Sequence, residues 1–221
     1  MLRAIAFDFD GVLAESVDVK TRAYIRLFEK EGEASIQKII NYHMKNGGVS
    51  RFVKFRAIYQ EILSRPLSEG EFQLLCDRFS QLVVDEVVVA PWVEGAHEFL
   101  IRYENQYKFF VISGTPEDEL QEIIRRRNMG ALFDSVRGSP KDKVMLIREV
   151  MTQFNLKPEE MVFVGDAETD WCAAQKIGVP FLWRCASDEA TPLSGYIGPR
   201  LSSLNELEKN IQKVTSLHYL P

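Results

Sequence analysis

Carboxylates follow two apolar segments that lie far apart in the sequence. Asp8 and Asp10 come directly after a run of apolar residues near the start of the chain, and Asp166 and Asp170 come just after another. Short apolar runs are typical of buried β-strands, and parallel strands bring their carboxyl ends to the edge where open α/β sheets bind ligands. Carboxylates crowded at one edge repel each other unless a cation lies among them. Because Mg²⁺ prefers oxygen ligands, the two segments together predict a magnesium site.

Two other segments carry groups suited to binding an anion. The strand-like segment Val111-Ile112-Ser113-Gly114-Thr115 ends in hydroxyl groups, and Thr115, which precedes a proline, is predicted to cap the helix that follows. The segment Gly138-Ser139-Pro140-Lys141-Asp142-Lys143 supplies two candidate lysines. A cation beside the carboxylates would offset their charge and that of an anionic ligand.

The order of the four motifs makes the chain resemble the haloacid dehalogenase superfamily. Within it, the resemblance is to phosphatases with an aspartate nucleophile and a helical cap, the phosphoglycolate phosphatase and β-phosphoglucomutase-like group. The resemblance spans nearly the whole chain and implies an α/β fold, with a Rossmann-like core around a parallel sheet and an inserted all-helical cap domain. Its motifs are Asp8-Phe9-Asp10-Gly11-Val12-Leu13, Val111 to Thr115, Gly138 to Lys143, and Gly165-Asp166-Ala167-Glu168-Thr169-Asp170.

The resemblance implies distinct roles for the four aspartates. Asp8 attacks phosphorus and forms an aspartyl phosphate, and Asp10 protonates the leaving oxygen and then activates water. That role requires Asp10 to start protonated, so we expect burial and nearby carboxylates to raise its pKa. Asp166 binds Mg²⁺ through its carboxylate, alongside Asp8 and the backbone carbonyl of Asp10. Asp170 is a further ligand or holds a metal-bound water.

The resemblance also implies a set of phosphate-binding groups. Ser113 donates a hydrogen bond to a phosphoryl oxygen, and the backbone amides of Gly11 and Gly114 add donors aimed at the same group. Lys141 and Lys143 both qualify as the lysine that offsets the phosphoryl charge. Lys143 fits the pattern of a lysine that leads a helix, and Lys141 is the alternative.

Asp10 favours a phosphate ester over other substrates of the superfamily. The dehalogenases of the superfamily lack this second aspartate, because halide leaves without help from an acid. The phosphonate-cleaving members also differ from the motif at this position. We therefore expect a Mg²⁺-dependent phosphatase acting on a small phosphorylated metabolite such as a sugar phosphate, phosphoglycolate or a nucleotide. Two alternatives remain open: a phosphomutase of the same superfamily, which returns the phosphoryl group to its substrate, and a non-catalytic binding protein on the same scaffold.

The pattern of elements predicts two domains. Strand-like runs alternate with helical patterns, which favours a parallel sheet covered on both faces; the runs are 4–9, 109–113, 135–138, 162–165 and 179–183. Between them lies a stretch that reads only as helices, at 22–31, 36–45, 52–63 and 69–83. We therefore predict a catalytic core formed by residues 1–15 and 91–221, with a helical cap at 16–90 inserted after the first strand.

The predicted cap contains basic residues near a glycine-rich loop. The loop, residues 46–51, joins two predicted cap helices and is placed to reach the active site. Arg51 and Lys54 are candidates for contact with an anionic or polyhydroxylated leaving group. The alternative is that they belong to a solvated basic helix face.

Composition narrows the partners and the compartment. The 221 residues carry a net charge of −5, with 27 basic and 32 acidic residues, which argues against nucleic acid as the main partner. No apolar run approaches the roughly 20 residues that cross a membrane, and the strand-like start leads us to expect no signal peptide. Cys76, Cys172 and Cys185 are scattered, which favours a reducing cytoplasm and gives no zinc signature. The sequence gives no signal for oligomeric state.

Overall fold

A single parallel sheet organises the molecule. The computed structural model describes residues 1–186, 193 and 195–217, and within them six strands pair in the order β3-β2-β1-β4-β5-β6. Every pairing is parallel, which confirms the expected α/β architecture. The strands are β1 (Ala4–Phe7), β2 (Lys108–Pro116), β3 (Ser135–Ser139), β4 (Met161–Gly165), β5 (Phe181–Arg184) and β6 (Arg200–Leu201).

The central strands are apolar along their whole length because helices cover both faces of the sheet. All residues of β1 and β4 are buried. In the sheet register Phe7 lies opposite Val111 of β2 and Val164 of β4. The polar residues that follow each of these positions therefore arrive at the same carboxyl edge of the sheet.

The helices fall into two groups. Five α-helices of the described residues lie between β1 and β2 in the sequence, and we call the first four of them the inserted helices; the other α-helices of the described residues flank the sheet. The inserted helices are α1 (Val17–Leu27), α2 (Glu33–Lys45), α3 (Arg51–Ala57) and α4 (Glu69–Val89). The others are α5 (Ala96–Tyr103), α6 (Glu117–Arg126), α7 (Lys143–Gln153), α8 (Glu168–Ile177) and α9 (Leu207–Leu217).

The boundaries differ from the predicted ones where packing overrides local signals. Helix α4 continues past residue 83 because Val87 extends its buried stripe by another turn. The predicted helix 52–63 divides into α3 and a π-helical segment, Ile58–Ile62, in which the Leu63 amide donates to the Ile58 carbonyl. Strand β6 has only two residues, too few to show a periodic pattern. None of the helices in the described residues is long and apolar enough to cross a bilayer.

The inserted helices have an aromatic interior. The ring of Tyr24 lies 4.9 Å from that of Phe79 and 5.8 Å from that of Phe55, measured between centroids. Phe28 completes the group, 6.3 Å from Phe55. These rings come from α1, α3 and α4, so the aromatic contacts fix these helices relative to one another.

Two crossings join the inserted helices to the rest of the fold, and they lie side by side. Ala14 pairs with Trp92 in an isolated antiparallel bridge. Beside it, the Glu15 amide donates to the Pro91 carbonyl at 2.9 Å, and the Val93 amide donates to the Leu13 carbonyl at 3.0 Å. The two crossings therefore form one short paired segment.

Arg127 holds the end of α4 at these crossings. Its Nη1 donates to the carbonyls of Val87 at 2.8 Å, Val88 at 3.0 Å and Ala90 at 2.7 Å, and its guanidinium lies over the Trp92 ring. The last turn of α4 contains no basic residue. Arg127, which follows α6, thus satisfies the carbonyls that a helix end leaves unpaired.

Candidate active site

The carboxyl edge of the sheet brings three aspartates together. Asp8 follows β1, Asp166 follows β4, and Asp170 lies in the first turn of α8. One carboxylate oxygen of each lies within 4.8 Å of the others, and Asp8 and Asp170 are buried. These three residues, called the carboxylate cluster below, are three of the four aspartates that the sequence predicted at the metal site.

Glycines make room for the carboxylate cluster. Gly11 has a φ of +75°, and a Cβ there would overlap the Asp166 carboxylate. A Cβ on Gly165 would likewise overlap the Asp170 side chain. The two motif glycines are therefore required by the close approach of the acidic side chains.

Lys143 lies within the carboxylate cluster. It is the first residue of α7, which begins there because Asp142 caps the helix by accepting from the Met145 amide. Its Nζ donates to Asp8 Oδ2 at 2.8 Å and also to Asp170. Burial lowers the pKa of Lys143, but the two carboxylates outweigh it and hold the pKa above its usual value.

The structure does not bring the alternative lysine into the site. Lys141 precedes the helix cap, is exposed, and pairs with Glu149 at 2.7 Å. Of the two candidate lysines, only Lys143 touches the carboxylate cluster. The prediction that Lys141 binds phosphate is therefore corrected.

The carboxylate cluster carries more negative charge than Lys143 balances. Burial, followed by the charges of Asp8 and Asp170, raises the pKa of Asp166 well above its usual value. Burial also raises the pKa of Asp170 to about 6, with Asp8 adding to the rise and Lys143 opposing it. One lysine is thus insufficient for three carboxylates, two of them buried and the third half-buried. Oxygen donors that require a further cation fit a hard divalent ion such as Mg²⁺.

Removing divalent cations should make stability depend on pH in a defined direction. The Asp170 pKa rises from 3.8 to about 6 on folding, so this carboxyl favours the folded state at low pH. In EDTA, its contribution is expected to be present below about pH 4 and lost as pH rises through 6. Mg²⁺ should reduce the loss because it replaces the proton as the positive partner.

Thermal unfolding between pH 4 and 8, in EDTA and in Mg²⁺, measures this effect. The Asp170→Asn variant separates it from other titrations, since the difference between variant and wild type isolates this carboxyl. If the unfolding temperatures of the two proteins changed equally with pH in EDTA, the charges around Asp170 would not destabilise its carboxylate.

The Asp10 carboxylate lies apart from the carboxylate cluster. It accepts hydrogen bonds from Ser16 Oγ at 2.6 Å, from Thr115 Oγ1 at 3.2 Å, and from Lys20 Nζ. Burial alone would raise the pKa of Asp10, but the Lys20 charge and these hydrogen bonds outweigh burial and lower it. The expectation of a raised pKa is wrong for this arrangement, because α1 brings an ammonium group against the carboxylate.

Ser113 and Thr115 end β2 beside the same site. Ser113 is buried, and its Oγ accepts from the Thr115 amide at 3.2 Å. The prediction that Thr115 caps a helix is wrong. Pro116 occupies the N-cap position of α6 without a side-chain hydrogen bond, and the Thr115 hydroxyl instead bonds to Asp10 and Lys20.

The loop before α3 reaches the site, as expected. Thr169 Oγ1 donates to the Gly47 carbonyl at 2.7 Å. Gly48 has a φ of +71°, and a Cβ there would overlap Thr169 and lie 3.1 Å from Lys143 Nζ. A Cβ on Gly114 would overlap the Gly48 carbonyl. The loop before α3 therefore contacts the sheet edge through the backbone of glycines, which have no side chain.

Arg51 and Lys54 are both buried, so the alternative of a solvated basic face is wrong. Arg51 donates to both carboxylate oxygens of Glu119 in α6, one of them at 2.9 Å, and to Ser80 Oγ at 2.8 Å. Lys54 donates to the ring of a neighbouring histidine. The exposed basic residue of α3 is Arg56, which pairs with a surface glutamate.

A cavity of about 70 Å³ lies between the sheet edge and the inserted helices. Its wall includes Lys20, Tyr24 and His43, which the sequence analysis did not single out. Each is a single residue on an amphipathic helix, where neither spacing nor a motif marks it. The only available signal was that Lys20 lies one helical turn after Ser16. The lining also includes Asp8, Asp10, Arg51, Lys54, Ser113 and Asp166.

Comparison with known proteins places these features in a family. The sequence profile of the haloacid dehalogenase-like hydrolases matches residues 5–184 of this chain. The chain is 28% identical over 196 residues to phosphoglycolate phosphatase 1 of Pseudomonas aeruginosa, covering 84% of this chain and 68% of that protein. It is 26% identical over 186 residues to a phosphorylated carbohydrates phosphatase of Thermotoga maritima, covering 80% of this chain and 82% of that protein.

The fold is shared with solved structures as well. A β-phosphoglucomutase from Clostridium difficile superimposes with a TM-score of 0.80 and covers 99% of each chain. The sequences are 18% identical, so this likeness concerns the fold.

Proposed function

The chain belongs to the haloacid dehalogenase-like hydrolase family, and we propose that it is a Mg²⁺-dependent phosphatase. It hydrolyses a small phosphate monoester through an aspartyl-phosphate intermediate. The observation that carries the proposal is the buried Asp8 carboxylate, which lies beside Lys143 within a cluster of three carboxylates. Phosphoryl transfer depends on positioning and charge neutralisation, and this arrangement is suited to both.

The metal-binding residues are Asp8, Asp166 and Asp170, together with the backbone carbonyl of Asp10. The raised pKa values of Asp166 and Asp170 support this assignment, since a divalent cation would relieve the repulsion that causes them. When bound, Mg²⁺ supplies positive charge that lets the anionic ester approach the carboxylates.

Asp8 and Asp10 perform the two chemical steps. An Asp8 carboxylate oxygen bonds to phosphorus as the ester oxygen leaves with a proton from Asp10. Water then attacks phosphorus and gives a proton back to Asp10, while the bond between Asp8 and phosphorus breaks and phosphate is released. Asp10 must therefore be protonated first. We infer that Lys20 withdraws from Asp10 when the ester enters, which leaves burial to favour the protonated carboxyl.

The remaining polar groups hold the phosphoryl oxygens. Ser113 supplies a hydroxyl, the amides of Gly11 and Gly114 supply further donors, and Lys143 supplies a positive charge. Lys143 also fixes the Asp8 carboxylate by its 2.8 Å contact, so it keeps the attacking oxygen in place.

Residues 16–90 act as a cap on a core formed by residues 1–15 and 91–221, of which 187–192, 194 and 218–221 lie outside the described residues. The contacts of Gly47 and Gly48 with the sheet edge, and of Arg51 with Glu119 of α6, support this division. A cap over the site keeps bulk water from the phosphoryl group while substrate is bound.

Candidate substrates are a sugar phosphate, phosphoglycolate or a nucleotide, with a leaving group that Arg51 or Lys54 contacts. The names of the Pseudomonas and Thermotoga relatives support the first two classes. A phosphomutase is the second candidate, favoured by the fold match to β-phosphoglucomutase. A purely binding role fits less well, because the nucleophile, lysine and metal-binding residues are all assembled. No disulfide joins Cys76, Cys172 and Cys185 within the described residues, which is consistent with a cytoplasmic location.

Release of inorganic phosphate from a panel of phosphorylated metabolites tests the function. We expect release in Mg²⁺ and a fall of about 100-fold or more in EDTA, since the metal contributes several kcal/mol to the transition state. Analysis of the same mixtures for phosphate-shifted isomers of the substrates separates the two candidates. Isomer formation without net phosphate release would favour the phosphomutase, and neither product from any ester would contradict both.

A further inference from the structure

Among the described residues, the lysines and arginines that line the cavity are paired with carboxylates, with one exception. Every lysine or arginine of the lining except Lys54 forms an ion pair with a carboxylate. The pairs are Lys20 with Asp10 and Arg51 with Glu119. Lys143, which lies outside the lining, pairs with Asp8 and Asp170.

Lys54 has no carboxylate partner among the described residues. It is 3% exposed, and its Nζ donates to His43 Nδ1 at 3.0 Å and to the His43 carbonyl at 3.3 Å. An ammonium group has three N–H donors, so one remains without a partner in the described part of the chain. The His43 ring is held 4.5 Å from the Tyr24 ring, measured between centroids.

His43 does not supply the missing negative charge. Burial, followed by the charges of Lys54 and Lys20, lowers the pKa of His43 to about 3. The imidazole is therefore neutral at pH 7, and its Nδ1 acts only as a hydrogen-bond acceptor toward Lys54.

The fold gains no stability from an amine at this position. Burial, and then the Lys20 charge, lowers the pKa of Lys54 to about 7, while Asp10 and Asp166 oppose this and Lys143 adds to it. A cation buried without a counter-ion opposes folding. An apolar side chain of similar length would avoid this cost. The amine is therefore better explained by an anion that enters the cavity than by packing.

We propose that Lys54, positioned by His43, is a specificity-determining residue that binds an anionic oxygen group on the leaving group of the substrate. The substrate is then a short phosphate ester that carries a carboxylate or a second phosphate. A neutral, polyhydroxylated leaving group would leave the ammonium unpaired. This proposal rests on the proposed phosphatase function, and it narrows the substrate class of the same site.

Arg51 is a poorer candidate for this role than Lys54. Its guanidinium already donates to both oxygens of Glu119 and to Ser80, so the face that would recognise a carboxylate is occupied. The cavity of about 70 Å³ also favours a small leaving group while the inserted helices are in this position.

A comparison of three short esters tests the proposal. Ethyl phosphate has a neutral leaving group, 2-phosphoglycolate carries a carboxylate, and ethylene glycol bisphosphate carries a second phosphate. For the wild type, we expect kcat/KM to be at least about tenfold higher for one or both anionic esters, since a charge-assisted hydrogen bond contributes this much or more. The ester with the higher value shows whether the recognised group is a carboxylate or a phosphate.

The Lys54→Met variant should lose the preference by at least about tenfold, and Lys54→Arg should retain part of it because it keeps the charge. Arg56→Met is the matched control, because Arg56 lies on the same helix but is exposed and pairs with Glu69. It should keep the wild-type preference. Lys54→Met should also unfold at a higher temperature than wild type at pH 7, which a merely structural role for Lys54 would not produce.

Two results would overturn the proposal. One is an unchanged preference in Lys54→Met, and the other is a wild type that favours ethyl phosphate. If no ester in the panel or among these three released phosphate, the proposed function itself would fail, and this inference would fail with it. A wild type that is active on ethyl phosphate without preferring the anionic esters overturns the inference alone.

Discussion

Asp8→Asn is expected to lower kcat for phosphate release by at least roughly 10⁴-fold, since removing the nucleophile of a covalent mechanism has effects of this size. The amide cannot attack phosphorus, although it has nearly the shape of the carboxylate. Asp77→Asn is the matched control, because Asp77 is exposed on α4 and accepts a hydrogen bond from Gln73 of the same helix. It should retain wild-type activity.

A stability measurement distinguishes this loss from misfolding. Burial raises the pKa of Asp166, and the Asp8 charge raises it further. The Asp8 charge therefore opposes folding in the absence of metal. The Asp8→Asn protein should therefore be at least as stable as wild type in EDTA. Substantial activity in a folded Asp8→Asn protein would mean that another residue attacks phosphorus.

Lys143→Met is expected to destabilise the protein in EDTA at pH 8 by about 3–5 kcal/mol, because it leaves buried carboxylates without their cation. In a chain of this length, such a change lowers the unfolding temperature by roughly 6–20 °C. Mg²⁺ should restore part of the loss, because it neutralises the same carboxylates. Activity should fall by at least about 100-fold, since Lys143 contacts the attacking group.

Lys141→Met is the control that the sequence itself provides. Lys141 lies two residues away, is exposed, and pairs with Glu149 at the surface, so its loss should change stability by less than about 0.5 kcal/mol. Thermal unfolding with and without Mg²⁺, together with phosphate release, measures both variants. Equal effects of the two substitutions would contradict the placement of Lys143 within the carboxylate cluster.

The sequence predicted those parts of the site that follow directly from strand ends. Asp8 and Asp166 come after buried apolar runs, and the parallel register alone brings such positions to one edge. The choice between Lys141 and Lys143 depended on where a helix begins, which Asp142 decides by capping α7. That capping signal was present in the sequence, although Ser139 and Pro140 just before it are residue types that are also typical of a helix start.

The groups contributed by the inserted helices could not be predicted in the same way. Lys20 and His43 acquire their roles only when α1 and α2 pack over the sheet edge, and no spacing within the chain encodes that approach. The Asp10 pKa was predicted in the wrong direction for this reason: burial was foreseen, but the ammonium of Lys20 was not. Local patterns therefore determined the core site, and tertiary contacts determined its electrostatics.

Because Arg127 binds the end of α4, Ala90 is the fulcrum about which that helix would rotate. Ser80, which meets Arg51 and Glu119, lies about 15 Å along the helix from this fulcrum at 1.5 Å per residue. A rotation of about 20° there moves Ser80 by about 5 Å, which is more than the length of a hydrogen bond. Such an angular change at the crossings would therefore separate Ser80 from Arg51 and Glu119.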